Sequence, residues 1–268
     1  MPFIIIVLIL ILLYVLSLRG RTGHKGISNL RSWAYAHRGL HGNNRPENSM
    51  AAFQAALDNG YGIELDVHLM ADGNLAVIHD ASLKRTAGVD VKIEDLKAAD
   101  LEQYRLEGTK EQIPLFSQVL ELFDGNAPLI VELKSERNNY AQLCETACNM
   151  LEKYHGAYCL ESFDPRCIHW LRKNRPALIR GQLAQNYFAA SNCKLPFVFK
   201  FVLTNNMLNF LTVPDFIAYR YADRKRLSNF LCRKLWGVKG VTWTLKTPSS
   251  YTAATEEGWI PIFEDFNP

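Results

Sequence analysis

The chain lacks a strong excess of charge of either sign. Its 30 Lys and Arg against 27 Asp and Glu leave a formal net charge of +3. That argues against nucleic acid as a partner, because such domains carry a marked basic surplus. None of the six cysteines forms a C-x-x-C pair. Cys144 and Cys148 lie four apart on a predicted helix, with no nearby Cys or His pair to complete a zinc site. Scattered thiols in a reducing compartment fit this pattern better than a disulfide framework. There is no internal repeat, no low-complexity tract and no second domain boundary. No glycine-rich phosphate loop opens a βα unit, which weakens the case for a doubly wound open sheet. Disorder is excluded by the 48% hydrophobic content. The length suits one α/β barrel, which needs about 250 residues.

One apolar run stands apart. Residues 2–18, PFIIIVLILILLYVLSL, carry no charge and reach the short edge of a membrane-spanning helix, about 17 residues. The run has no basic flank before it and no small-residue cleavage site, so it does not read as a signal peptide. It has no polar face, so it does not read as a core helix. We therefore expect a transmembrane anchor over residues 1–20, a basic linker over 21–32 and the folded domain over 33–268. Arg19, Arg21, Lys25 and Arg31 follow the run, and the positive-inside rule then places a single-pass protein's domain on the cytoplasmic side.

Beyond the linker, β-like runs alternate with helical ones. Strands are expected at 33–37, 62–68, 75–79, 129–133, 157–163, 179–184, 216–221, 240–245 and 259–263. Helical spacing of apolar residues fills most gaps, as in Leu143, Ala147, Met150 and Leu151. Such alternation predicts a parallel sheet with helices outside it. Eight or nine strands over this length point to a closed barrel. The runs 62–68 and 75–79 would form one hairpin-like unit around Asp72-Gly73.

Several strands carry charge where a barrel should be apolar. In 62–68, Ile63, Leu65 and Val67 share one face, and Glu64, Asp66 and His68 share the other. If the apolar set packs under helices, the acids point inward. Adjacent buried carboxylates are costly without compensation, and a divalent cation is the simplest compensation. Oxygen donors suit Mg²⁺ or Ca²⁺. An antiparallel strand with one wet face would explain this stretch equally well. The pattern recurs, however. Glu132 and Lys134 share a face at the end of 129–133, His37 ends one strand and His79 ends another. Barrel active sites sit at the C-terminal ends of strands, so one shared site is expected. A divalent ion with Arg38 and Lys134 could neutralise a phosphodiester, and two histidines could serve as acid and base near neutral pH.

The ordered segments Ala36-His37-Arg38-Gly39, Pro46-Glu47-Asn48-Ser49, Glu64-Leu65-Asp66-Val67, Asp72-Gly73 and His79-Asp80 resemble the signature of glycerophosphodiester phosphodiesterases. Val131-Glu132-Leu133-Lys134, Ser162-Phe163-Asp164 and Trp243-Thr244 agree with it. The resemblance implies a TIM (β/α)8 barrel with a short insertion after the second strand, here 81–113. It implies Glu64, Asp66 and Glu132 as metal ligands, His37 and His79 as the acid–base pair, and Arg38 and Lys134 beside the phosphate. Phe163 and Trp243 would line the glycerol pocket. The implied reaction is metal-dependent hydrolysis of glycerophosphodiesters to glycerol 3-phosphate and an alcohol. Lysophospholipase D-type cleavage of lysophospholipids is the alternative, and a non-catalytic phosphodiester-binding barrel is a third reading. The sequence departs from the family in a longer loop between Gly39 and Pro46, in Ser49 for the usual Thr, and in the ending Ile262–Pro268.

The remaining features read more plainly. His24, His155 and His169 lie outside any acidic cluster and read as surface or helix residues. His41 sits beside the first motif, where contact with substrate is the alternative to a surface role, and His68 shares the acidic face, where support of the site is the alternative to a plain structural role. Residues 195–217 are apolar and precede Arg224, Lys225 and Arg226. They read as a core helix followed by a solvated basic face, or as a patch resting on anionic lipid. Nothing in the chain specifies an oligomeric state.

Overall fold

The computed structural model describes residues 2–42, 44–191 and 193–268. The chain opens with helix α1 (Pro2–Ser17) and the short α2 (Ile27–Arg31). Strand β1 (Tyr35–His37) leads through α3 (Met50–Asp58) to β2 (Gly62–Leu69) and β3 (Leu75–Val77). The insertion follows with α4 (Lys84–Ala87) and three 3-10 turns, before α5 (Phe116–Phe123). The alternation then runs β4 (Leu129–Leu133), α6 (Tyr140–Leu151), β5 (Tyr158–Ser162), α7 (Pro165–Asn174) and β6 (Arg180–Ala184). It ends with α8 (Phe197–Thr204), α9 (Asn209–Thr212), β7 (Phe216–Arg220), α10 (Leu227–Lys234), β8 (Lys239–Leu245), α11 (Pro248–Glu256) and β9 (Ile260–Phe263).

Eight of these strands are parallel neighbours. β1 pairs with both β2 and β9, which closes the sheet into a barrel and excludes the open doubly wound alternative. β3 is antiparallel to β2, with Val67 opposite Val77, and forms the expected hairpin outside the closed ring.

Strand alternation sorts the side chains. Ile63, Leu65 and Val67 face outward with Leu129, Val131 and Leu133, and pack against Phe53, Phe123, Leu143 and Leu151 of the surrounding helices. Each such fully buried side chain contributes roughly 1.5–3 kcal/mol of transfer free energy. The inner faces begin apolar, with Tyr35, Ile130, Cys159, Phe216, Val241 and Ile260 in one cluster near the strand starts. Gly181 belongs to this layer, since a Cβ there would lie 2.0 Å from the Phe216 ring. Ile27 and Leu30 of α2 join the same cluster and close the N-terminal end of the barrel. Arg21 secures that end through Asp215, with Nε 2.6 Å from Oδ1.

The insertion after β3 has its own small core. Leu83, Ile93, Leu101, Leu106 and Ile113 pack with Met70, Ala76 and Ile78. Helix starts follow side-chain chemistry. Ser49 caps α3 by accepting from the Ala52 N–H, and a Thr hydroxyl could do the same. Asp164 caps α7, with Pro165 in its first turn.

Two expectations are corrected here. α1 has 16 residues, and among the described residues no helix is long and apolar enough to cross a membrane. At 1.5 Å per residue α1 spans about 24 Å, short of a hydrocarbon core of about 30 Å. The run cannot continue, because Leu18 is buried against Ile217, Cys232 and Val238 of the barrel. Trp236 Nε1 also donates to the Val15 carbonyl, at 2.8 Å. The expected transmembrane anchor over 1–20 falls, and with it the membrane lipid partner and the single-pass, cytoplasmic-facing placement. The run 197–204 is also not a core helix, since Phe197, Val198, Phe199 and Phe201 of α8 are exposed and only Thr204 is buried.

Candidate active site

The inner faces change character toward the strand ends. After Tyr35 comes His37, after Gly62 come Glu64 and Asp66, after Ile130 comes Glu132, and Lys134 follows just past β4. Register brings them together, with His37 beside Glu64 and Asp66 beside Glu132. Arg38 and Gly39 follow β1 with φ of 54° and 80°. A left-handed Arg is unfavourable and is found mainly at functional sites. The turn is held by the Asn48 N–H donating to the Arg38 carbonyl at 2.9 Å. Asn48 itself is left-handed, at φ 53°, and its side-chain Nδ2 donates to Asp66 Oδ2 at 2.9 Å.

The carboxylate cluster is buried and cation-balanced. Lys134 Nζ lies 3.0 Å from Asp66 Oδ1 and 2.8 Å from Glu132 Oε1. Arg38 Nε is 3.4 Å from Asp66, and its Nη1 donates to Glu47 at 2.9 Å. Burial, then repulsion from Asp66 and Glu132, pushes the Glu64 carboxyl well above its ordinary range. Burial would also raise Asp66, but Lys134, His79, Arg38 and the Asn48 hydrogen bond hold it well below. Burial raises Glu132 against the opposing pull of Lys134.

Each histidine has a carboxylate on Nδ1. His79 Nδ1 is 2.6 Å from Asp80 Oδ1. The His79 hydrogen bond and Arg85 hold Asp80 well below the carboxylate range, against its burial. His37 Nδ1 is 2.9 Å from Glu264 Oε2, and its Nε2 is 3.9 Å from Glu64 Oε2. Burial lowers His37, and the Glu264 hydrogen bond partly restores it. Carboxylates on Nδ1 leave Nε2 as the atom of each ring that can work on a ligand.

These groups surround one cavity of about 40 Å³, lined by His37, Arg38, Glu64, His79, Glu132, Glu161, Phe163, Leu183, Trp243 and Ile262. Phe163 and Trp243 meet edge to face there, with ring centroids 5.6 Å apart. A wider recess of about 370 Å³ adjoins it through His79, Glu132 and Phe163. A still larger recess of about 400 Å³ lies outside the barrel near Trp170 and Leu211, but no carboxylate lines it.

The donor set fits a hard divalent ion. Glu64, Asp66 and Glu132 each bring a donor atom within 4.8 Å of the others. Oxygen ligands about 2.0–2.6 Å from Mg²⁺ or Ca²⁺ would be separated by such distances. Four buried carboxyls, Glu64, Asp66, Glu132 and Glu161, lie near the two cations Arg38 and Lys134. Burial raises Glu64 and Glu161 well above the carboxylate range, and a divalent ion at the triad would favour the ionised carboxylates. His37, His41 and Glu264 also bring donor atoms together, but Glu264 is already shared between His37 and Lys246.

All nine residues proposed from the sequence meet around this centre. Four further residues escaped that reading. Glu264 and Asp80 orient the histidines, and Glu161 sits in the cavity wall. Glu94 binds His68, with Nδ1 2.6 Å from Oε1, while His68 Nε2 faces the His79 carbonyl at 3.2 Å. Only Asp80 carried a sequence signal, through its place in the motif after His79.

A parallel barrel with carboxylates, paired histidines and two cations at its C-terminal mouth is the architecture of a metal-assisted hydrolase site. The chain belongs to the Glycerophosphoryl diester phosphodiesterase family, whose sequence profile matches residues 37–267. It is 41% identical over 129 residues to a glycerophosphodiester phosphodiesterase of Bacillus altitudinis, covering 45% of this chain and 52% of that one. It is 36% identical over 133 residues to a lysophospholipase D of Rattus norvegicus, covering 45% and 42%. The matched stretch thus spans about half the length of these curated relatives. In fold it is similar to an Oleispira antarctica phosphodiesterase solved with its product sn-glycerol 3-phosphate. The TM-score is 0.73 at 21% identity, over 91% of this chain and 96% of that one.

Proposed function

We propose that this chain hydrolyses glycerophosphodiesters to glycerol 3-phosphate and an alcohol. The observation that carries the reading is convergence. Glu64, Glu132, Arg38 and two carboxylate-paired histidines line one small cavity, and Asp66 and Lys134 join them through ion pairs with Arg38 and Glu132.

Glu64, Asp66 and Glu132 would hold the divalent ion. When bound, it supplies Lewis-acid stabilisation of the charged phosphoryl group. Arg38 and Lys134 bind the phosphate oxygens, Arg through a planar fork and Lys as a point charge. Phe163 and Trp243 enclose the carbon chain of glycerol. One histidine Nε2 accepts the proton of the glycerol hydroxyl that attacks phosphorus, and the other protonates the departing alcohol. A cyclic phosphate results. The histidines then exchange roles as water opens the ring to glycerol 3-phosphate.

Lysophospholipase D-type cleavage is the competing chemistry, and it is the activity named for the Rattus norvegicus relative. It places an acyl chain on the glycerol, which would have to leave the cavity of about 40 Å³ through the adjoining recess of about 370 Å³. The test is glycerol 3-phosphate release by the full chain from glycerophosphodiesters and from lysophospholipids, with EDTA or with added Mg²⁺ or Ca²⁺. Metal-dependent release from deacylated diesters is expected. Release only from lysophospholipids would favour the second chemistry, and silence on both would leave a binding barrel.

A further inference from the structure

The mechanism leaves one ionisable group of the cavity without a role. Glu161 lies on the inner face of β5, beside Glu132 in the sheet register and two residues before Phe163. It is 1% exposed, it lines the cavity, and its Oε2 has no hydrogen-bond partner. Its neighbours in the wall are engaged. His37 is held by Glu264, Arg38 by Glu47, His79 by Asp80 and Glu132 by Lys134. Glu161 is also outside the Glu64, Asp66 and Glu132 group, whose donor atoms lie within 4.8 Å of one another. A buried carboxyl with an unfilled oxygen is costly unless a polar group reaches it. The rest of this part of the wall is formed by Leu183, Ile262 and the Phe163 and Trp243 rings, and among the described residues its one other unpaired polar atom is the donor Trp243 Nε1.

We propose that Glu161 determines specificity for the glycerol end of the substrate, by a hydrogen bond to the hydroxyl farthest from phosphorus. The proposal rests on the phosphodiesterase reading. In that reading the phosphate engages Arg38 and Lys134, and the hydroxyl nearer phosphorus is the nucleophile. The distal hydroxyl then has no assigned partner, and Glu161 has no ligand. Neither attack nor departure needs a proton from Glu161. A lysophospholipid acylated at the distal position has lost that O–H. Glu161 therefore selects the deacylated diester.

The test compares glycerophosphocholine with its analogue in which the terminal CH₂OH is replaced by methyl. The full chain is used as wild type, E161L and E161Q. Leaving one buried polar group without its hydrogen-bond partner is worth about 10–100-fold. Wild type should therefore lose about that factor in kcat/KM on the methyl analogue. E161L should lose a similar factor on glycerophosphocholine and almost none on the analogue. E161Q, which keeps the shape, should show an intermediate preference with Mg²⁺ and Ca²⁺ affinities unchanged by calorimetry. If E161L does not fold, E161Q carries the test through its narrowed preference. An equal loss on both substrates, an unchanged preference in both variants, or loss of metal binding in E161Q would overturn the proposal alone. Silence of the wild type on both diesters would overturn the phosphodiesterase reading and this proposal with it.

Discussion

Glu264 Oε2 sits 2.9 Å from His37 Nδ1, across the seam where the last strand of the barrel closes on the first. The same carboxylate reaches Lys246 Nζ at 3.2 Å and lies 3.6 Å from His41 Nε2. Closing the barrel therefore also orients a proposed acid–base residue. A carboxylate that holds an imidazole in one tautomer acts through that imidazole, so Glu264 is a positioning residue.

Replacing Glu264 by Gln should lower kcat about 10–100-fold with little change in KM. His37→Ala and His79→Ala should each cost about 10²–10⁴. The sign of the pH effect follows from the pairing. Glu264 raises the His37 pKa against burial, so its loss lowers that pKa further. The limb of the pH–rate profile that reports His37 should then move toward acid in E264Q. An unmoved limb with full activity would remove Glu264 from the site.

A stability effect accompanies the kinetic one. Burial would raise Glu264, but His37 and nearby cations hold its carboxyl at about 2, against an ordinary 4.5. A depressed carboxylate stabilises the fold above its unfolded pKa and loses that contribution as pH falls through its folded value. The wild type should thus exceed E264Q by on the order of 1 kcal/mol near pH 7, allowing for partial exposure. That difference should vanish between pH of about 4.5 and 2 in denaturant titrations.

The legible part of this fold was its alternation and its misplaced charge. All nine strands coincide with expected runs, β2 and β8 each extending one residue beyond, because apolar residues at period two are visible locally. Glu64, Asp66 and Glu132 were legible because charge on a strand's inner face is anomalous, and His37 and His79 because each ends an apolar run. Glu264 was not, because its partner is 227 residues away and the ending Ile262–Pro268 departs from the family pattern. Glu161 lay in an expected strand, but its meaning depends on Glu132 in the neighbouring one. The end of α1 was equally hidden. The apolar run shows no stop at Leu18, which is buried by Ile217, Cys232 and Val238 from distant parts of the chain.

Metal binding should be visible without turnover. Added Mg²⁺ or Ca²⁺ should raise the melting temperature of the full chain by mass action, and EDTA should reverse it. Glu64→Gln should abolish most of the shift. Because burial and neighbouring carboxylates raise the Glu64 carboxyl well above its ordinary range, binding must displace its proton. Affinity should therefore increase with pH until Glu64 is ionised, and calorimetry in buffers of different ionisation heat should detect the released proton. A shift that persists unchanged in Glu64→Gln would place the ion elsewhere.

The insertion supports the barrel through one buried histidine. His68 is buried between the Glu94 carboxylate, at 2.6 Å, and the His79 carbonyl, at 3.2 Å. The ring links a turn of the insertion to the backbone of His79. His68→Leu fills the space but leaves Glu94 buried without its partner, which costs about 1–3 kcal/mol. It also releases the His79 backbone, so kcat should fall more than KM rises, since misplacement of about 1 Å can cost on the order of 10²-fold. Glu94→Gln keeps a polar partner and should cost less on both counts. The exposed pair Arg137 and Asp95, one residue along the same turn, serves as the control, because exposed ion pairs contribute little. Equal, small effects of His68→Leu, Glu94→Gln and the control Asp95→Asn on kcat would show that the insertion does not hold His79 in place.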